Sequence, residues 1–189
     1  MEEKKTKRCF IAIDLPDNIK RELCRIQEAL PKINKKNVEK ENLHLTLKFL
    51  GDVSGEMLEK IKESLSKIKL KRFIALLKEI GFFPNEKFIR IIWAGLGDLN
   101  SDKDLFSLQK VVEESLKNLV PRDEKEWMPH ITVTRVKNIP KNKKEDFIKK
   151  IKEIIPKQES FEVKQIKLKQ STLTEKGSIY EDLLVVELE

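Results

Sequence analysis

The sequence is poor in the residues that most often announce chemistry. Its 189 residues include 2 cysteines, 2 histidines, 1 tyrosine, 6 glycines and 7 prolines. Cys9 and Cys24 are too few and too early in the chain for a disulfide framework or a four-ligand zinc site. A chain without such a framework reads as reduced and cytoplasmic. Two histidines exclude a His-rich metal centre, while a site of two His and a carboxylate stays open on count alone. The longest uncharged apolar runs, such as residues 9–13 and 183–186, fall far short of the ~20 residues that a membrane span requires. The charged opening, residues 1–8, leads straight into a strand-like segment and lacks the apolar stretch of a signal peptide. Neither glycine-rich phosphate loop, G-x-x-x-x-G-K-[ST] or G-x-G-x-x-G, is present.

What is there suits one domain over residues 1–189, built as two lobes that share a core. Charged residues, at 38%, nearly equal the hydrophobic ones at 39%, and the net charge is +7. Residues 1–100 carry +6 of it and residues 101–189 carry +1. A basic balance of this kind fits a polyanionic partner.

The apolar pattern switches between period 2 and period 3.6. Strands are predicted over 9–15, 43–50, 73–80, 88–96, 130–136, 161–170 and 180–188. Helices are predicted around Ile19–Leu30, Leu58–Ile68, Leu105–Leu119 and Phe147–Ile154. A basic loop spans 32–40, a Phe82/Phe83 loop precedes Pro84-Asn85, and Ser101 with Asp104 resembles a capping box. Short hairpin-like connections predict antiparallel sheet, hence an α+β fold.

Both histidines lie in one repeated unit. The first reads His44-Leu45-Thr46-Leu47 and the second His130-Ile131-Thr132-Val133. By average composition a given His is followed by aliphatic, Ser/Thr, aliphatic roughly 1 time in 100, so two chance copies are on the order of 1 in 10,000. In a strand, residues two apart share a face. Each unit therefore presents an imidazole beside a hydroxyl, with its aliphatic pair turned to a core. Two such strands facing across a groove would offer a general base, a general acid and hydroxyl donors to a phosphate. That set suits metal-independent displacement at a phosphodiester. A two-His metal site and ordinary structural histidines are the competing readings at this point.

The residues around these units carry a resemblance along the chain. Residues 8–16 resemble an opening strand, 41–51 the first motif in its surroundings, and 81–85 with 90–95 a middle hairpin. Residues 129–135 carry the second motif, and 173–180 a closing loop. Over roughly residues 8–188 the chain resembles the RNA 2′,3′-cyclic phosphodiesterases, also called 2′-5′ RNA ligases, of the two-histidine phosphoesterase superfamily. The resemblance implies a bilobal, duplicated α+β fold, with an antiparallel sheet in each lobe, helices outside and the site in the groove between lobes. It implies hydrolysis of a terminal 2′,3′-cyclic phosphate to a 2′-phosphate, with reversible joining in some members. It gives leaving-group protonation to His44 and water activation to His130. Thr46, Thr132 and Arg135 would hold the phosphate, and strict alternation would point Arg135 away from His130 unless a bulge intervenes. No metal or nucleotide cofactor is implied. The expected partner is RNA with a cyclic phosphate end, tRNA fragments included, acted on by a cytoplasmic monomer.

Lys48, on the face assigned to His44 and Thr46, and Lys40 in the basic approach to the motif are expected to contact the RNA backbone. Phe83 is expected to stack on a base. A two-histidine phosphoesterase of small cyclic nucleotides and a non-catalytic RNA-binding module are the alternative functions.

Overall fold

The chain builds a single curled antiparallel sheet with helices packed on it. The structure, a computed structural model, describes residues 6–175 and 177–189, so residues 1–5 of the charged opening lie outside the described residues. The strands are β1 (Lys7–Asp14), β2 (Asn34–Asn37), β3 (His44–Val53), β4 (Phe73–Asn85), β5 (Phe88–Asp98), β6 (His130–Asn138), β7 (Ser160–Val163), β8 (Gln165–Thr174) and β9 (Gly177–Glu187). The helices are α1 (Asp17–Ala29), α2 (Gly55–Leu65), α3 (Lys103–Leu116) and α4 (Lys144–Lys152). None of them is long and apolar enough to cross a membrane.

The helices bury the stripes that the periodicity marks. α1 turns Ile19, Leu23 and Ile26 inward, and α3 turns Leu105, Leu108, Val112 and Leu116. α2 is capped by Ser54, whose hydroxyl oxygen accepts the Met57 amide at 3.3 Å. α3 differs from expectation. Ser101 and Asp104 form no capping box; instead Asp98, at the end of β5, accepts the Leu105 amide at 2.8 Å.

The strand order is β7-β4-β5-β6-β3-β1-β8-β9, with β2 on the second edge of β6. It reads as two four-stranded halves, β7-β4-β5-β6 and β3-β1-β8-β9, meeting at the two motif strands. Every pairing is antiparallel. The halves join through one residue pair, Leu45 with Ile131, both fully buried. The predicted strand over 161–170 is in fact two. It breaks at Lys164, so that β7 pairs with β4 at one end of the sheet and β8 with β1 in the other half. β2 was not expected in the basic loop. Its Asn-Lys-Lys-Asn has no apolar face, and it is held by backbone pairing to β6, by the Thr134 hydroxyl on Asn37 and by Lys35 Nζ on the Gln27 carbonyl. β4 runs on through Phe82 and Phe83 to Asn85, so both phenylalanines are strand residues rather than loop residues.

Each motif strand carries an extra residue just beyond its His and Thr. In β3, Lys48 pairs with Ile11 and Thr46 with Ala12, which leaves Leu47 unmatched by β1. In β6, Thr134 pairs with Ile92 and Thr132 with Trp93, which leaves Val133 unmatched by β5. A bulge puts two successive side chains on one face and shifts the alternation beyond it. Leu47 and Lys48 are accordingly both buried, as are Val133 and Thr134.

The bulge corrects the expectation for Lys48. Its side chain lies on the core side, away from His44 and Thr46, and is 1% exposed. Its Nζ donates to Glu113 of α3 at 2.7 Å and to the Pro121 carbonyl at 3.1 Å. Asp123 lies 3.5 Å away. Lys48 is thus a structural cation tying α3 and the loop after it to β3, and no RNA backbone can reach it.

Removing one partner of a buried ion pair leaves the other charge uncompensated, whereas an apolar replacement of similar volume does not. Glu113→Ala should lower the unfolding free energy by about 3 kcal/mol, the low end for such pairs because Asp123 remains nearby. Lys48→Met should change it by less than about 1 kcal/mol or stabilise the protein. Denaturant unfolding of both variants checks this, and equal large losses would contradict it.

Candidate active site

His44 and His130 open their strands, and both imidazoles are fixed in the same way. His44 Nδ1 lies 2.7 Å from the Asn42 carbonyl oxygen, and His130 Nδ1 lies 2.8 Å from that of Met128. A carbonyl can only accept, so each Nδ1 carries a hydrogen. The neutral form of each ring is then the one with a free lone pair on Nε2. The segments that supply these carbonyls are themselves anchored. Asn42 Nδ2 donates to the Ser178 carbonyl at 2.8 Å, and Trp127 Nε1, one residue before Met128, donates to the Thr46 carbonyl at 3.0 Å.

An aromatic ring from another strand of the same half-sheet braces each imidazole. Phe10 of β1 lies 4.9 Å from His44 between ring centroids, and Phe83 of β4 lies 4.9 Å from His130, edge to face. Tyr180 of β9 completes the His44 side at 5.3 Å and 90°, and Trp93 of β5 the His130 side at 6.5 Å. Trp93 lies over Gly81, where a Cβ would come within 2.1 Å of its ring. Only glycine permits that approach.

Counting outward from the Leu45–Ile131 pair places His44 opposite Thr132 and Thr46 opposite His130. All four side chains leave the face opposite the core, and the two imidazoles are diagonal neighbours. Thr46 Oγ1 lies 3.1 Å from His44 Nε2, so its hydroxyl donates to the neutral ring. The bulge in β6 returns Arg135 to this face, where it lines a hollow of about 410 Å³ together with His44, Phe10, Phe49 and Tyr180. A second hollow, of about 300 Å³, lies on the other side of Tyr180 and is lined by His44, Asp14, Asn42 and Lys169. A larger one, of about 630 Å³ between α1 and α4, touches neither motif.

Four alternating charges lie beside His44. Lys167 bonds Asp14 at 2.8 Å and Asp182 at 2.6 Å, and Lys169 bonds the same two carboxylates at 2.9 and 2.6 Å. Burial alone would raise the carboxyls, but the two lysines hold both below their ordinary range. His44 is held below the ordinary 6.5 chiefly by burial, aided by the Lys169 and Lys20 cations. The hydrogen bond to Asn42 and the Asp14 carboxylate oppose that shift.

The remaining expected contacts fall apart from this cluster. Lys40, half exposed on the turn before β3, bonds Asp17 of α1 at 3.0 Å and lines neither hollow. Phe83 is half-buried between His130 and Trp93, which uses its ring as a brace rather than as a free stacking surface. Phe10, Tyr180, Asn42 and Phe49 were not singled out by sequence reasoning. Phe49 was legible: it stands five residues after His44, as Arg135 stands five after His130.

The strand register sets the two imidazoles and two hydroxyls on one face, and Arg135 shares a hollow there with His44, while His130, Thr46 and Thr132 line neither hollow; such a set can bind a phosphoryl anion, deprotonate one oxygen and protonate another. Among the described residues no group of three or more His, Cys, Asp or Glu converges to hold a metal ion.

Comparison with known proteins bears on this groove. The family model for LigT-like phosphoesterases matches residues 13–93 and 98–180. An RNA 2′,3′-cyclic phosphodiesterase of Methanocaldococcus jannaschii is 46% identical over 178 residues, covering 92% of this chain and 96% of that protein. One from Archaeoglobus fulgidus is 40% identical over 185 residues, covering 95% and 99%. The crystal structure of TT0787 of Thermus thermophilus superposes with a TM-score of 0.79 at 26% identity, covering 95% of this chain and 97% of that one.

Burial of His44 ties stability to pH. The unfolded chain binds a proton there more readily, so this histidine's share of stability is present above pH 6.5 and is lost as pH falls toward the folded value. In an NMR titration His44 should show a midpoint below 6.5. Lys169→Met should move it upward, because a cation is removed and Asp14 is left less neutralised. A midpoint unchanged by Lys169→Met would refute the electrostatic contribution of that lysine.

Proposed function

The chain belongs to the LigT-like phosphoesterases, and on that premise we propose that it hydrolyses the 2′,3′-cyclic phosphate at an RNA 3′ end to a 2′-phosphate, with His44 and His130 as acid and base. The observation that carries the reading is the identical restraint on both rings. Each Nδ1–H is spent on a backbone carbonyl, so proton exchange falls to Nε2, which on His44 accepts from the Thr46 hydroxyl until a reacting oxygen takes that place.

In the proposed reaction the cyclic phosphate sits between the motifs. The Thr46 and Thr132 hydroxyls and the Arg135 guanidinium bind its non-bridging oxygens. Neutral His130 takes a proton from water as the water oxygen bonds to phosphorus. Protonated His44 gives a proton to O3′ as the P–O3′ bond breaks. The products are a 2′-phosphomonoester, a free 3′-hydroxyl, and two histidines with exchanged protonation. The same groups in the same roles, with a 5′-hydroxyl in place of water, would join RNA ends through a 2′-5′ bond. Every group comes from one chain, so the catalytic unit is a monomer, and tRNA fragments with cyclic ends fall within the substrate class.

The surroundings support this division of roles. The leaving oxygen belongs to a nucleoside, so the acid must stand beside room for one. Both hollows adjoin His44. Burial lowers the His44 pKa and so disfavours its protonated form in the free protein. The bound phosphodiester anion favours the protonated form before the transfer.

His44→Ala and His130→Ala should each lower kcat by about 10²–10⁴-fold, with folding retained. Arg135→Met should mainly raise KM. Product analysis on RNA ending in a 2′,3′-cyclic phosphate, in the presence of a chelator, tests the reading. Full turnover by either His variant, loss of turnover with chelator, or turnover of mononucleotides only would overturn it.

A further inference from the structure

We propose that Arg8 binds the internucleotide phosphate on the 5′ side of the substrate's terminal nucleoside, an inference that rests on the reaction proposed above and adds to it the path of the RNA strand. The two hollows that adjoin His44 differ in charge. The one of about 300 Å³ is lined by two carboxylates, Asp14 and Glu41, and by one cation, Lys169. That cation is already engaged by Asp14 and Asp182. A strand with a negative charge on every nucleotide is repelled by such a wall. The hollow of about 410 Å³ is lined by two guanidiniums, Arg8 and Arg135, and among the described residues no carboxylate lines it. In the proposed reaction Arg135 meets the cyclic phosphate, which leaves Arg8 with no anion to meet unless the strand leaves the site on this side.

An exposed arginine on a protein surface means little by itself. Arg8 differs in its lack of a partner. Asp52 stands directly opposite it in the β1–β3 ladder. Opposite residues bring their Cβ atoms within about 5.5 Å, near enough for an ion pair. None forms, and among the described residues no group bonds the Arg8 side chain. Place then names the anion. Every residue of β1 from Lys7 to Asp14 has a partner in β3, so its side chains alternate without interruption. Arg8 thus shares the face of Phe10 and Asp14, and Asp14 is the register partner of His44. The Phe10 ring lies 4.9 Å from the His44 ring, and Arg8 follows two residues on. Two residues of strand are about 6–7 Å. In the proposed reaction His44 protonates O3′, so the terminal ribose lies beside it, and the 5′ carbon of that ribose carries the next phosphate. A guanidinium one step beyond Phe10 on the same face is placed for that phosphate, whose two free oxygens match its fork. Arg8 is in this reading a specificity-determining residue: it distinguishes a cyclic phosphate at the end of a strand from that of a lone nucleoside.

The test varies the charge of a single linkage. One substrate is a dinucleotide ending in a 2′,3′-cyclic phosphate, and the other is the same dinucleotide with an uncharged methylphosphonate between its two nucleosides. On the charged dinucleotide Arg8→Gln should lower kcat/KM about 10-fold, chiefly through KM, and Arg8→Lys should recover most of the loss. On the methylphosphonate the Arg8→Gln loss should shrink to less than about 2-fold. Independently of turnover, the charged dinucleotide ending in a 2′-phosphate should bind Arg8→Gln about 10-fold more weakly than the natural protein, with a slope in log salt shallower by about 0.7. Equal losses on the two substrates would assign Arg8 a structural role and overturn the proposal, as would an unchanged affinity and salt slope in Arg8→Gln. Binding that depends on Arg8 and on the linkage charge in a protein without turnover would uphold the strand path and refute the hydrolysis reading instead.

Discussion

The single pair Leu45–Ile131 joins two four-stranded half-sheets and stands at the centre of the groove. Both side chains are fully buried, which directs the flanking His and Thr residues of both strands to the opposite face. Because the ladder is one pair long, each strand keeps its main partners within its own half: β1 for β3, and β5 with β2 for β6. The histidines are thus held by two ladders that share one backbone pair, while one continuous core and the Lys48–Glu113 and Trp127–Thr46 contacts bind the halves together. Any shift of register at that pair by one residue would turn both motifs into the core at once.

The bulges act on the residues just beyond each motif. One extra residue in each strand sends the position four after each histidine inward and the position five after it outward. The inward residues are polar, and each has a dedicated partner. Lys48 meets Glu113, and the Thr134 hydroxyl donates to Asn37 of β2 at 2.9 Å. The outward residues differ in kind, an aromatic ring at 49 and a guanidinium at 135. One backbone device, used twice, thereby delivers an aromatic ring and a guanidinium to the same hollow.

The two halves are alike in the restraint of each imidazole and unlike in its surroundings. His44 is enclosed by Phe10 and Tyr180 and stands beside the Asp14, Asp182, Lys167 and Lys169 quartet. His130 is braced by Phe83 and Trp93. An asymmetric reaction needs that difference. In the proposed reaction the leaving O3′ and the attacking water lie on opposite sides of the phosphorus, and the two nitrogen atoms must hold opposite protonation at the start.

The sequence by itself was enough to find the two histidines, their threonines and the α+β pattern, because a four-residue unit read with period 2 carries its own geometry. It also placed most helices, whose apolar stripes are local. Non-local pairing was not legible. β2 has no apolar face to betray it, and the break at Lys164 that sends β7 and β8 to opposite halves has no turn residue to mark it. Lys48 was misplaced, and Arg135 left conditional, for one reason: alternation predicts a face only until a residue is left unpaired. Whether a strand bulges depends on what its neighbour offers residue by residue. The sequence therefore determined which groups the proposed chemistry draws on. Only the tertiary structure decided which side chains beyond them reach the groove and which histidine is enclosed, because both depend on pairing between strands distant in the chain.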